Sequence, residues 1–138
     1  MAGVSEGRLM VAKGTFSVKL PVQEPADGEE PSIARRLIDK QFEGDLVATS
    51  KGQMLAAMGT VQGSAGYVAM ERVSGVLHGR KGTFALQHYG LMNRSAQSLT
   101  IDVVPDSGTD ELAGLTGQMK IIIENGQHYY EFVYEGVA

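Results

Sequence analysis

The sequence predicts an all-β fold, a closed eight-stranded antiparallel barrel in up-and-down (meander) order. Three observations lead there. Eighteen glycines in 138 residues, about twice the ~7% share of an average chain, lie beside short runs in which apolar and polar residues alternate. That alternation has the period of two expected of half-buried strands, and Leu55-Ala56-Ala57-Met58 is the one helix-friendly stretch, too short to propagate. Finally, tight-turn dipeptides join neighbouring runs, Asn125-Gly126 most clearly, because both residues tolerate the positive φ of a type I′ hairpin turn. Closing such a meander removes both sheet edges. A two-sheet sandwich is the alternative, and it usually needs longer Greek-key crossovers than most of these loops supply.

The strands are placed near Ala12–Leu20, Ala34–Thr49, Gln53–Gly59, Gly66–His78, Gly82–Asn93, Ser98–Val104, Gly117–Glu124 and Gln127–Glu135. Between the first two lies Pro21–Pro31, which holds three of the four prolines and the acids Glu24, Asp27, Glu29 and Glu30. It reads as an acidic, proline-rich surface loop. A turn over Thr49–Gly52 places Ile38, Lys40, Phe42, Leu46 and Leu55 on one face, which Phe16 and Val18 extend. With Arg80-Lys81 as the next hairpin loop, Leu77 faces Phe84, Val73 faces His88 and Glu71 faces Gly90. The inner face then carries Tyr67, Ala69, Glu71, Val73, Leu77, Phe84, Leu86, His88 and Met92. The outer face carries Arg72, Ser74, Thr83, Gln87 and Asn93, with His78 as a solvated imidazole. Passing through Arg94–Gln97 puts Leu99, Ile101 and Val103 inside. The Asn125-Gly126 turn sets Ile123 opposite His128, Ile121 opposite Tyr130, Met119 opposite Phe132 and, on the other face, Lys120 opposite Glu131.

Composition narrows function by exclusion. Residues 1–138 have the length of a single domain with a sizeable core. The net charge of −4 argues against a nucleic-acid surface, which needs clustered Lys and Arg. No cysteine is present, so disulfides, thiolate metal sites and cysteine nucleophiles are out. No apolar run has the length of a membrane span, and Met1–Lys13 lacks the pattern of a secretory leader. The expectation is a cytoplasmic protein with neither nucleic acid nor membrane as partner.

The polar residues on the inner face are Lys40, Tyr67, Glu71, His88, His128 and Tyr130, gathered toward one end of the barrel. Glu71 and His88 are diagonal neighbours on paired strands, within hydrogen-bond reach. Pro21–Pro31 and Thr60–Ala65 flank the same mouth, where either is placed to act as a lid. With an apolar wall of Phe16, Phe42, Leu86, Met92, Ile101 and Phe132, these six residues suit a cavity that binds a small apolar compound with one polar end. A cofactor-free isomerase or cyclase using Glu71 and His88 as acid and base is a second reading. A structural or oligomer-forming module with a filled barrel is a third. No cofactor is expected and no metal site, because Glu71, His88 and His128 lack ligand spacing. Val68, Met70, Val76, Tyr89, Leu91 and Tyr129 face outward in this register, an apolar exterior suited to a homo-oligomer.

Several segments carry a family resemblance. They are Lys40-Gln41-Phe42-Glu43-Gly44-Asp45-Leu46, Gly63-Ser64-Ala65-Gly66-Tyr67-Val68-Ala69-Met70-Glu71-Arg72-Val73 and Leu86-Gln87-His88-Tyr89-Gly90. Val104-Pro105-Asp106-Ser107-Gly108-Thr109-Asp110-Glu111-Leu112 and His128-Tyr129-Tyr130-Glu131-Phe132 complete the set. Together they resemble an uncharacterised bacterial family, a domain of unknown function whose fold is similar to the allene oxide cyclase barrel. The resemblance covers most of the chain, least of all the acidic loop, and implies a closed eight-stranded barrel. It carries no catalytic residue over, since fold alone does not transfer function.

Overall fold

The computed structural model describes residues 8–138. Its strands are β1 (Met10–Lys19), β2 (Val22–Gln23), β3 (Ala34–Gly44), β4 (Leu46–Met58), β5 (Ala65–Leu77), β6 (Arg80–Asn93), β7 (Ala96–Val103), β8 (Thr116–Glu124) and β9 (Gln127–Glu135). Each main strand is antiparallel to its neighbours in chain order. β1 pairs with β9 on one side and β3 on the other, which closes an eight-stranded barrel. β2 is the extra piece. It continues the pairing of β1 along β3, with Val22 opposite Arg36, so the acidic loop is structured at its start. Among the described residues, no helix is long and apolar enough to cross a membrane.

The Asn125-Gly126 hairpin has the register its sequence dictates: Glu124 lies opposite Gln127, Ile121 opposite Tyr130 and Met119 opposite Phe132. Asn125 and Gly126 both have positive φ, 50° and 77°, which matches the right-handed twist of the flanking strands. The β5–β6 turn is His78-Gly79 and not Arg80-Lys81; Arg80 already pairs with Leu77, and Glu71 stands opposite Leu86. His78 and Gly79 supply φ of 45° and 81°. The turn moves by two residues, which shifts the pairing by four. An even shift leaves every side chain on its expected face, and Val73, Leu77, Phe84 and Leu86 are buried inside.

The turn expected at Thr49–Gly52 does not exist. Those residues lie in the middle of β4, and the reversal comes earlier, at Gly44-Asp45, where Gly44 has φ +104°. Its left-handed conformation suits glycine, and a Cβ there would meet the Lys13 carbonyl oxygen at 2.7 Å. Because Leu46–Met58 runs unbroken through the expected turn, Leu55 faces outward and is 43% exposed, whereas Ser50 faces inward. Leu99 keeps its inner-row position opposite Gly90 but lies at the mouth, also 43% exposed. His78 is not simply solvated either: its Nδ1 lies 2.5 Å from the Tyr134 hydroxyl and its Nε2 3.6 Å from Asp45 Oδ2. Val68, Met70, Val76, Tyr89, Leu91 and Tyr129 do face outward.

The closed end is filled. Phe42, Leu46, Leu77, Phe84, Leu86, Phe132 and Tyr134 interdigitate there, with Phe84 and Phe132 stacked at 5.7 Å and Phe132 on Tyr134 at 5.3 Å. The β7–β8 connection crosses beneath them and plugs the barrel with Leu112 and Leu115. Tyr130 secures the Gly44-Asp45 turn: the Leu46 amide donates to its hydroxyl at 2.9 Å, and the hydroxyl donates to the Glu43 carbonyl at 2.8 Å. Tyr130→Phe strands a buried amide, which costs about 1–3 kcal/mol. Urea denaturation of the variant is expected to show that loss with an unchanged m-value; equal stability would remove Tyr130 as the latch.

Candidate functional site

Midway up the barrel the packing turns polar. Glu71 on β5 is 2% exposed, and an ionised carboxylate survives there only if donors surround it. Three do, each from a different strand. Its Oε2 takes Lys40 Nζ of β3 at 2.8 Å and His88 Nε2 of β6 at 2.5 Å, and its Oε1 takes the Ser50 hydroxyl of β4 at 2.5 Å. Glycine makes the room: a Cβ on Gly52, the residue paired with Glu71, would lie 2.6 Å from the Glu71 Cα. Lys40 Nζ sits 5.1 Å from the Phe16 ring centroid and 5.6 Å from that of Phe42, so π faces screen the part of the ammonium that no carboxylate covers.

Protonation follows from these contacts. Burial alone pushes the Glu71 pKa up, but the hydrogen bond from His88, the Lys40 charge and the bonds from Lys40 and Ser50 together outweigh it. They hold the carboxyl at about 2, well below its ordinary 4.5. Glu71 is therefore an anion that accepts every bond it makes. Lys40 balances its charge. To donate to Glu71, His88 must carry a proton on Nε2, which leaves Nδ1 of the neutral ring as an acceptor. That nitrogen lies 3.3 Å from the Tyr67 hydroxyl. The Tyr67 phenol pKa is itself pushed up, by burial first and by the Glu71 charge second, which keeps it a neutral donor.

Above this relay the barrel opens. The β7–β8 ladder is narrow, centred on Asp102 opposite Gln118, and the strand ends splay at the mouth. A cavity of about 330 Å³ lies there, lined by Met54, Ala56, Met58, Met92 and Leu99 over a floor of Tyr67 and Gly90. The Tyr67 ring lies on Gly90, where a Cβ would collide with its Cε1. Gly90 was expected beside Glu71; it is instead paired with Tyr67 and paved by it.

Of the six inward polar residues, four meet: Lys40, Tyr67, Glu71 and His88. His128 stands apart, its ring 5.1 Å from Phe16. Tyr130 belongs to the closed end, on the Gly44-Asp45 turn. Of the expected apolar wall, Phe16, Phe42, Leu86, Ile101 and Phe132 are packed core, and Met92 alone lines the cavity. Ser50 was missed, although continuing the alternation from Leu46 through Ala48 reaches it. Among the described residues no group of three acids or imidazoles is placed to hold a metal ion.

Residues 12–134 match a family described as "Protein of unknown function (DUF3224)". The chain also resembles the crystal structure of a DUF3224-family protein of unknown function from Shewanella oneidensis MR-1. The two are 46% identical, with 95% of this chain and 99% of that one covered and a TM-score of 0.87. No curated protein matches. The chain belongs to the DUF3224 family, as its resemblance to an uncharacterised bacterial family implied.

Removing one partner of the buried pair tests this electrostatic account. Because the folded pKa of Glu71 lies below its ordinary value, its ionisation contributes stability above pH 4.5, and that contribution is lost as pH falls toward 2. Lys40→Met leaves the anion short of a cation and is expected to cost about 3–5 kcal/mol at pH 7. The variant's Glu71 is held down less, so the gap to the parent should narrow as pH falls below 4.5. Denaturant titrations from pH 7 to 3 measure it, and a gap independent of pH would contradict the account.

Proposed function

We propose that this member of the DUF3224 family is a small-molecule-binding barrel whose site is the mouth cavity above Tyr67. The observation that carries the reading is the cavity itself. At about 330 Å³ it falls within the ~300–1,000 Å³ range of ligand sites. Its walls combine three thioethers, Met54, Met58 and Met92, with Ala56 and Leu99. Methionine is flexible and polarizable, so such a wall moulds itself to an apolar guest better than branched side chains do. The floor ends in the polar Tyr67, and Gln97 and Ser98 bring further polar groups to the β7 side.

The same geometry speaks against acid–base catalysis by Glu71 and His88. A general base works best with a pKa near the operating pH, whereas the Glu71 carboxyl is held at about 2 by partners that occupy both its oxygens. Tyr67 also stands between His88 and the cavity. The relay fits a support for the floor better than a reacting group.

The test is a neutral fluorescent probe, N-phenyl-1-naphthylamine, titrated into the protein. Saturable enhancement at one site is expected. Ala56→Phe, which fills the cavity from β4, should weaken it by about tenfold or more while thermal unfolding changes little. Equal binding by the variant would place the probe elsewhere and dismiss the mouth as the site.

A further inference from the structure

We infer that the mouth cavity selects ligands whose polar end donates a hydrogen bond, and that Tyr67 is the residue that sets this preference. The inference rests on the cavity being a binding site and concerns which end of which ligand it takes.

The direction of each bond in the relay follows from its innermost member. Glu71 is buried with Lys40 against it at 2.8 Å, and an ionised carboxylate accepts and never donates. The Nε2 of His88 is 2.5 Å from the same oxygen and must carry the proton of that bond. A second proton on the imidazole would put two cations against one buried anion, an uncompensated charge in a low-dielectric interior. With the ring neutral, Nδ1 is an acceptor, and the Tyr67 hydroxyl at 3.3 Å spends its single proton on it. The phenol oxygen is then left with lone pairs alone. Tyr67 lines the cavity, and what it offers a ligand is acceptance.

The surroundings reinforce this polarity. The thioethers of Met54, Met58 and Met92 accept weakly and donate nothing. Gln97, at the rim, has its side-chain amide nitrogen 3.9 Å from Met92 Sδ; that contact takes one of its two N–H donors and leaves the other N–H and the carbonyl, so the polarity at the floor is set by Tyr67. At the floor a hydroxyl, phenol or amide N–H on an otherwise apolar body therefore matches Tyr67, whereas an ether or ester oxygen there meets acceptor against acceptor. The fixed ring keeps the arrangement in place: a Cβ at Gly90 would collide with it, and the hydrogen bond to His88 holds its far end.

Three naphthalenes of similar size separate the possibilities: 1-naphthol donates, 1-methoxynaphthalene only accepts, and 1-methylnaphthalene does neither. Competition against N-phenyl-1-naphthylamine should rank 1-naphthol roughly three- to tenfold tighter than the other two, with the ether no better than the hydrocarbon. Tyr67→Phe keeps a ring over Gly90 and removes the oxygen; it should bring 1-naphthol and the hydrocarbon to equal affinity. If all three compounds bind the parent protein equally, or if Tyr67→Phe keeps the preference, the assignment to Tyr67 is overturned and the cavity still stands as a binding site. If none of the three competes and the fluorescent probe does not saturate, the cavity reading falls and takes the polarity with it.

Discussion

Everything in the upper half of this barrel is arranged around one buried anion. Glu71 sits on β5, and its three donors come from β3, β4 and β6, so one carboxylate ties four consecutive strands together. A slip of one residue in any of them would carry its donor to the outer face and leave the charge unpaired. Such a pair adds little net stability over an apolar core, because desolvation consumes most of the Coulombic gain, but losing one partner is costly. The carboxylate thus works mainly as a specification of register in a closed sheet, where alternative pairings are otherwise close in energy.

The anion also divides the interior. Below it, aromatic rings and the Leu112–Leu115 plug fill the barrel. Above it the residues on the inner rows shrink to Ala56, Ala65 and Gly90 or become flexible methionines. The narrow β7–β8 ladder lets the strands spread there. Leu99 and Ile123 are inner-row residues by register, yet 43% and 64% exposed. Their exposure is the signature of a flared mouth, and no alternation pattern encodes it.

Much of this was legible in the chain. Alternation placed Glu71, His88, Lys40 and Tyr67 inside, and it survived the wrong hairpin loop because the pairing error, four residues, was even. The hairpin at Asn125-Gly126 was readable outright, since few other dipeptides take two positive φ values at so little strain. Where the reading failed, polar residues had an inward task. Thr49-Ser50-Lys51-Gly52 has the composition of a turn, but Ser50 is a donor to Glu71 and Gly52 is the space Glu71 occupies. A turn signature and a strand that makes way for a buried charge use the same residues, and only the partner across the sheet distinguishes them. The true reversal at Gly44-Asp45 carried a weaker signal, one glycine with positive φ.

Tyr130 and Tyr67 illustrate the same limit. Both lie over a glycine, Gly14 and Gly90, that accommodates the ring; both are inward aromatics with a polar tip, and sequence grouped them in one cluster. Their surroundings separate them. The Tyr130 hydroxyl accepts from the Leu46 amide and donates to Glu43, so its donor and acceptor capacity is engaged and the residue is 2% exposed. It is a latch. The hydroxyl of Tyr67 is engaged on one side, by His88, and the residue lines a cavity. An aromatic with a spare lone pair beside open space is the more informative of the two, because a buried polar atom that served stability alone would be expected to find its full set of partners.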